Sequence, residues 1–154
     1  MNSWALFGHI VSGFALFAGM VLAAAGWHLA RSRTAPSEVA LLLKLCRIGA
    51  MAVAAATVSV LGLGLWLVDL QGRRLSDTWI SWAIGLLLAA MVAGIVGGQR
   101  PKKARLLAQR LSEEGGPETE ELRRLLDDRA SAALNYLAAG CILVILFLMV
   151  FKPH

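Results

Sequence analysis

Four apolar stretches, near residues 4–29, 48–68, 78–98 and 131–151, take up most of this 154-residue chain. A hydrocarbon core of roughly 30 Å is crossed by about 20 helical residues rising 1.5 Å each, so every stretch is long enough to span. Lipid offers no partner to backbone N–H and C=O groups, which leaves helices or a closed barrel as the only spanning structures. Barrel strands alternate polar and apolar residues over about ten positions. These runs do not alternate. The expected fold is all-α: a four-transmembrane-helix bundle forming a single integral membrane domain over 1–154. The first run exceeds the 7–15 apolar residues of a signal peptide, and no charged side chain precedes it, so it reads as a retained span.

The chain is 58% hydrophobic and 16% charged, against about 45–50% and about 25% for soluble domains. Its net charge of +5 does not point to nucleic acid. Lys and Arg mark the cytoplasmic links of membrane proteins. Arg31, Arg33, Lys44 and Arg47 follow the first span, and Arg100, Lys102, Lys103, Arg105, Arg110, Arg123, Arg124 and Arg129 follow the third. The opposite side carries only Arg73, Arg74 and Lys152, twelve basic residues against three. Both termini are thus expected outside, with links 30–47 and 99–130 in the cytoplasm. The setting is a cytoplasmic (inner) membrane of bacterial type. The lipid bilayer is the first partner implied, and no nucleic acid is.

Local signals place the ends of these helices. Trp4 and Trp27 anchor the first span at its two interfaces, and Trp66, Trp79 and Trp82 form an outer aromatic belt. Thr34 or Ser37 is expected to cap the second helix, with Pro36 in its first turn. Ser76 or Asp77 is expected to cap span three. The short loop 69–77 makes spans two and three antiparallel neighbours. Small residues recur every four positions as Ala15, Gly19, Ala23 and as Ala90, Gly94, Gly98. Such stripes let backbones approach closely, within the chain or across a homodimer. Cys46 lies near the cytoplasmic surface and Cys141 about 15 Å deeper, too far for a disulfide.

The polar segment 99–130 holds Leu106, Leu107 and Leu111 before Gly115-Gly116-Pro117, and Leu122, Leu125 and Leu126 after it. That pattern predicts a cytoplasmic helical hairpin with a leucine seam, each arm projecting roughly 15–20 Å. Its basic first arm suits anionic headgroups. Leu106, Leu111, Leu122 and Leu125 are the candidate docking residues for a membrane protein partner; a solvated connector is the plainer reading.

No Walker loop, Rossmann glycine fingerprint, His-Glu-x-x-His or Cys-x-x-Cys is present, and no acidic residue lies within a span. Ion-coupled transporters normally carry ionisable groups at mid-membrane, so the sequence speaks against that class. His9 is the candidate site residue. Lying about a turn and a half beyond Trp4, its imidazole can ligate haem iron or copper, or share a proton with a quinone. The plainer reading is an interfacial His satisfied by Ser12, a tryptophan or headgroups. His28 stands nineteen residues on, roughly 28 Å away, and cannot share a metal with it. Snorkelling, with Asn135 or Tyr136 as hydrogen-bond partner, fits His28. No second spanning His exists for a bis-His haem. Met149 stands at about His9's depth and is the only other candidate ligand, though a Met in an apolar run usually packs.

An early His on span one, Gly-Leu-Gly-Leu-Trp at 62–66, Trp-Ile-Ser-Trp at 79–82 and the ending Leu148-Met149-Val150-Phe151-Lys152-Pro153 together resemble an uncharacterised family of predicted integral membrane proteins. That family is similar to four-helix proteins of the copper-resistance-D type and to the membrane protoporphyrinogen oxidases. The resemblance implies haem b or copper at His9. The oxidases also carry a functional Lys in a later helix, and spans three and four hold none here. Two functions remain open: redox or cofactor handling with haem, copper or quinone near the outer face, or a non-catalytic accessory subunit of a larger membrane complex.

Overall fold

The structure, a computed structural model, describes residues 3–75 and 77–151. Ser76, Lys152, Pro153 and His154 fall outside them. The order is α1 (Ser3–Arg31), α2 (Pro36–Leu70), α3 (Thr78–Gly97), α4 (Gln99–Glu113), α5 (Glu120–Leu126) and α6 (Arg129–Phe151). Four helical runs are long and apolar enough to cross a membrane: α1, α2, α3 continued by α4, and α5 continued by α6. The protein is therefore a multi-pass membrane protein, and among the described residues it has no strand. The end carrying α4 and α5 is the charged end of the molecule.

The distribution of apolar surface is that of a molecule dissolved in lipid. Phe14, Val58, Val92 and Val150 are all more than 60% exposed, far more apolar surface than a water-soluble monomer displays. Inside, the contacts are made by small residues. Gly19 of α1 faces Gly49 and Val53 of α2, and Gly26 faces Cys46 and Leu42. A Cβ on Gly49 would lie 2.5 Å from the amide nitrogen of Ala23 and 2.6 Å from the carbonyl oxygen of Gly19. Of the stripe Ala15, Gly19, Ala23, the last two thus serve packing within the chain while Ala15 is exposed; lipid supplies no hydrophobic drive there and close approach replaces it.

The second stripe is displaced from expectation. Gly94 has open space beside it. The buried line on α3 is Ala83, Leu87, Ala90, Ala93 and Gly97, and Gly97 receives the side chain of Asn135 from α6. Helix α3 therefore pairs with α6, while α2 pairs with α1. The short loop after α2 does not set the packing partner. Spans two and three touch through Leu61, which joins the cluster of Ala83, Leu87 and Ile145. Cys46 and Cys141 are free.

Turn chemistry explains the breaks. Gly72 and Gly115 adopt φ of 61° and 65° at the ends of α2 and α4, the left-handed conformation glycine takes without steric cost. Arg73 N–H then bonds back to the Val68 carbonyl, and Gly116 N–H to that of Leu111. Pro36 opens α2, but Ala35 occupies the cap position and neither Thr34 nor Ser37 supplies a cap hydrogen bond there. Asp77 precedes α3 without a side-chain cap bond. Thr119 does cap α5, its hydroxyl accepting from the Leu122 N–H at 3.3 Å. Asp128 does the same for α6, accepting from the Ser131 N–H at 3.0 Å.

The segment between α3 and α6 does not stand out as a free hairpin. Helix α4 continues α3 with backbone bonds running through Gly98, then packs along the first turns of α2. Val39, Leu43, Ala104, Ala108, Leu122 and Leu126 are each at most 1% exposed and form one core with Trp27 and Ala30. This charged-end cluster is the best-buried region of the molecule, because water there does supply the hydrophobic drive that lipid withholds.

Candidate ligand site at His9

His9 is half-buried on α1, set against the part of α2 around Gly64. A Cβ on Gly64 would come within 3.2 Å of its Cε1 and 3.6 Å of its Nδ1. The missing side chain lets the ring lie close to the α2 backbone without a tight contact. Gly8, the preceding residue, accommodates Leu63 in the same way, with 3.1 Å to a methyl group. The two glycines let α1 and α2 close around the imidazole.

Nδ1 is shut off from the surroundings and has no partner of good hydrogen-bonding geometry. The backbone of Val60 is a polar group beside the ring. Ser12 does not satisfy His9: its hydroxyl donates to the Gly8 carbonyl at 2.8 Å, within its own helix. With Nδ1 covered, Nε2 is the nitrogen through which this ring can meet a ligand.

Met149 packs against Ala83, Leu87 and Ile145, on the α3–α6 pair, whereas His9 sits on the α1–α2 pair. Among the described residues no three His, Cys, Asp or Glu side chains gather as metal ligands. His28 pairs with Tyr136, Nε2 to Oη at 2.8 Å. Asn135 instead donates to the Ser131 carbonyl. Of the candidate docking leucines, Leu122 and Leu125 are in the charged-end core, Leu111 is packed against it, and Leu106 is 44% exposed.

Residues 5–153 match the model of a family described as predicted integral membrane protein (DUF2269). The chain belongs to this family. The match covers nearly all of the chain, so the four spans, the charged-end core and the His9 site all lie within what the family model describes. No curated protein and no solved structure matches the chain.

His9 is a candidate by residue type alone, but the glycine it sits against is not. The role of Gly64 depends on which residue of α1 faces it, which is tertiary information. The signal was present as a glycine at the depth of a lone His on the next antiparallel helix. Arg123 was likewise read only as a topology charge. In the fold its guanidinium donates to the carbonyl of Arg31, at 2.8 Å, and closes the end of α1.

Proposed function

We propose that this membrane protein engages a lipid-soluble cofactor, of the haem or quinone kind, through His9. The observation that supports the reading is one half-exposed imidazole inside an apolar span, with Nδ1 turned against α2 and without a hydrogen bond. An ionisable ring held in lipid without a partner is costly, and such residues generally mark function. A quinone carbonyl needs only one imidazole to hydrogen-bond with it. A haem iron can take a single axial nitrogen. Copper is less well supported, since it favours several nitrogen or sulfur ligands and Met149 packs elsewhere. The twelve-to-three distribution of basic residues favours the charged end in the cytoplasm and His9 towards the outer face of an inner membrane.

The test is purification in mild detergent, a visible spectrum before and after dithionite, and chromatography of the organic extract for quinone. Wild type is expected to carry one of the two in near-stoichiometric amount, and His9→Ala to lose it while still inserting. A cofactor-free wild type, or an His9→Ala variant with full content, overturns the reading.

A second reading, an accessory subunit, is favoured by the outward glycines of α3. Gly85 and Gly94 have nothing within 4 Å, which leaves room for a partner helix or a second copy. Exchanging both for Leu would then release a partner that otherwise co-purifies from native membranes. Unchanged composition after the exchange counts against this reading.

A further inference from the structure

We infer that the charged end carries a belt of basic side chains, Lys44 and Arg47 of α2 and Lys102 and Lys103 of α4, that takes the headgroup phosphates of anionic membrane phospholipids. The inference is independent of His9.

The argument begins with helix register. Helix α4 leaves the membrane as the unbroken continuation of α3, Lys102 N–H bonding to the Gly98 carbonyl. It packs against α2, with Val39 and Leu43 buried together with Ala104 and Ala108. α2 runs into the membrane and α4 runs out of it. Lys44 and Arg47 therefore lie on the membrane side of that buried contact on one helix, and Lys102 and Lys103 on the membrane side of it on the other. All four fall within about one helical turn of the contact, roughly 5 Å. That places them at a common level where the apolar spans end, the level of headgroup phosphates.

The charges there are not neutralised by the protein. Among the described residues the ion pairs at this end are Arg31 with Asp127, Arg33 with Glu38, Arg100 with Asp128, Arg123 with Glu118 and Arg124 with Glu120. Those five carboxylates are thus engaged by other basic side chains. Lys44, Arg47, Lys102 and Lys103 are exposed, and none makes an ion pair with a described residue. Four exposed basic side chains at one level attract the anionic headgroups present there at high local density.

The test uses the full chain in a neutral detergent, titrated with dioleoylphosphatidylglycerol, dioleoylphosphatidylcholine or inorganic phosphate, reading the thermal midpoint. Phosphatidylglycerol is expected to raise the midpoint at concentrations where the other two do not, and 1 M salt to abolish the effect by screening. The variant Lys44→Gln, Lys102→Gln, Lys103→Gln changes only exposed side chains. It should need at least about tenfold more phosphatidylglycerol for the same rise, given roughly fivefold per basic residue near a surface. Equal response to both lipids, or a response to phosphatidylglycerol unchanged in the variant, overturns the inference. Equal stabilisation by inorganic phosphate overturns the lipid as its occupant. Should the variant fail to fold, the wild-type comparison of the three additives still decides.

Discussion

The guanidinium of Arg123 donates to the backbone carbonyl of Arg31 across the charged end, at 2.8 Å. It closes α1 with a residue from α5. Helix ends leave carbonyls without intrahelical partners, and a cation near them also answers the helix dipole. The same guanidinium stands 3.3 Å from Glu118, and Arg31 itself reaches Asp127 at 3.4 Å.

Arg123→Gln is accordingly expected to loosen the seam between α1 and α5. A hydrogen bond from a charged donor is worth about 1.5–3 kcal/mol when buried. This side chain is 37% exposed, so solvent screening brings the expected loss down to about 1 kcal/mol. Thermal unfolding in detergent checks the loss. Hydrogen exchange locates it, with faster exchange expected in residues 27–33 and 119–127 and little change at the far end.

Gly49→Ala tests the α1–α2 crossing. The added methyl would meet the backbone of Ala23 and Gly19 at 2.5–2.6 Å, and backbone cannot swing aside as a side chain can. Overpacking of this kind costs typically 1–3 kcal/mol and sometimes more. Folded yield in detergent should drop sharply. Gly13→Ala, with nothing within 4 Å of the added carbon, should be neutral or gain a few tenths of a kcal/mol from helix propensity. Size-exclusion profiles of the two variants decide the matter.

These glycines also show how much of the fold the residues announce. The spans follow from apolar length alone, because nothing but a helix satisfies its backbone in lipid. Gly19 and Ala23 are legible as close-packing small residues, although Ala15 of the same repeat is exposed. The stripe of Ala90, Gly94 and Gly98 misleads. The eye finds a repeat of four, while the face that packs is fixed by α6, whose Asn135 fits over Gly97. The leucines of 99–130 are legible as a buried face but not as to what covers them. Val39 and Leu43 are partners supplied by a helix some sixty residues earlier in the chain. At the candidate site, His9 stands out by type, whereas Gly64 acquires its role only when α1 and α2 are brought together.

Tyr136→Phe probes a link between the two helix pairs. Tyr136 of α6 reaches His28 of α1 at 2.8 Å, and α1 and α6 belong to different pairs. The bond is exposed, so the stability change should stay within about 0.5–1 kcal/mol. Its effect should appear in geometry. A cysteine cross-link or spin-label distance between the charged-end halves of α1 and α6 should broaden in the variant and keep its width within each pair.

Asp128 gives a pH signature. Hydrogen bonds from the Ser131 side chain and backbone, with Arg100 nearby, hold its carboxyl below the ordinary carboxylate range. A group depressed in the folded state stabilises above its unfolded pKa, about 3.9 for Asp. The contribution is lost as pH falls through the lower folded value. Asp128→Asn should therefore be less stable than wild type at neutral pH and should flatten the part of the wild-type slope below about pH 4. Thermal midpoints at pH 7, 5 and 3.5 test this; curves that stay parallel through that range refute the assignment.

The last prediction separates the seat of His9 from its chemistry. Gly64→Val leaves the imidazole in the chain but fills the space the ring occupies, since even a Cβ would lie 3.2 Å from Cε1. The ring must then rotate away from α2, and Nδ1 loses its cover. If ligand binding needs only an imidazole near this depth, Gly64→Val should retain the cofactor. If it needs Nε2 aimed by the packing of Nδ1 on α2, the variant should lose the cofactor as fully as His9→Ala does, while insertion stays intact. The proposed geometry predicts the second outcome. A parallel Gly62→Val, at a position with open space, should leave cofactor content at the wild-type level. That pair of neighbouring glycines, one against the ring and one away from it, makes the contrast readable in a single spectrum of each variant.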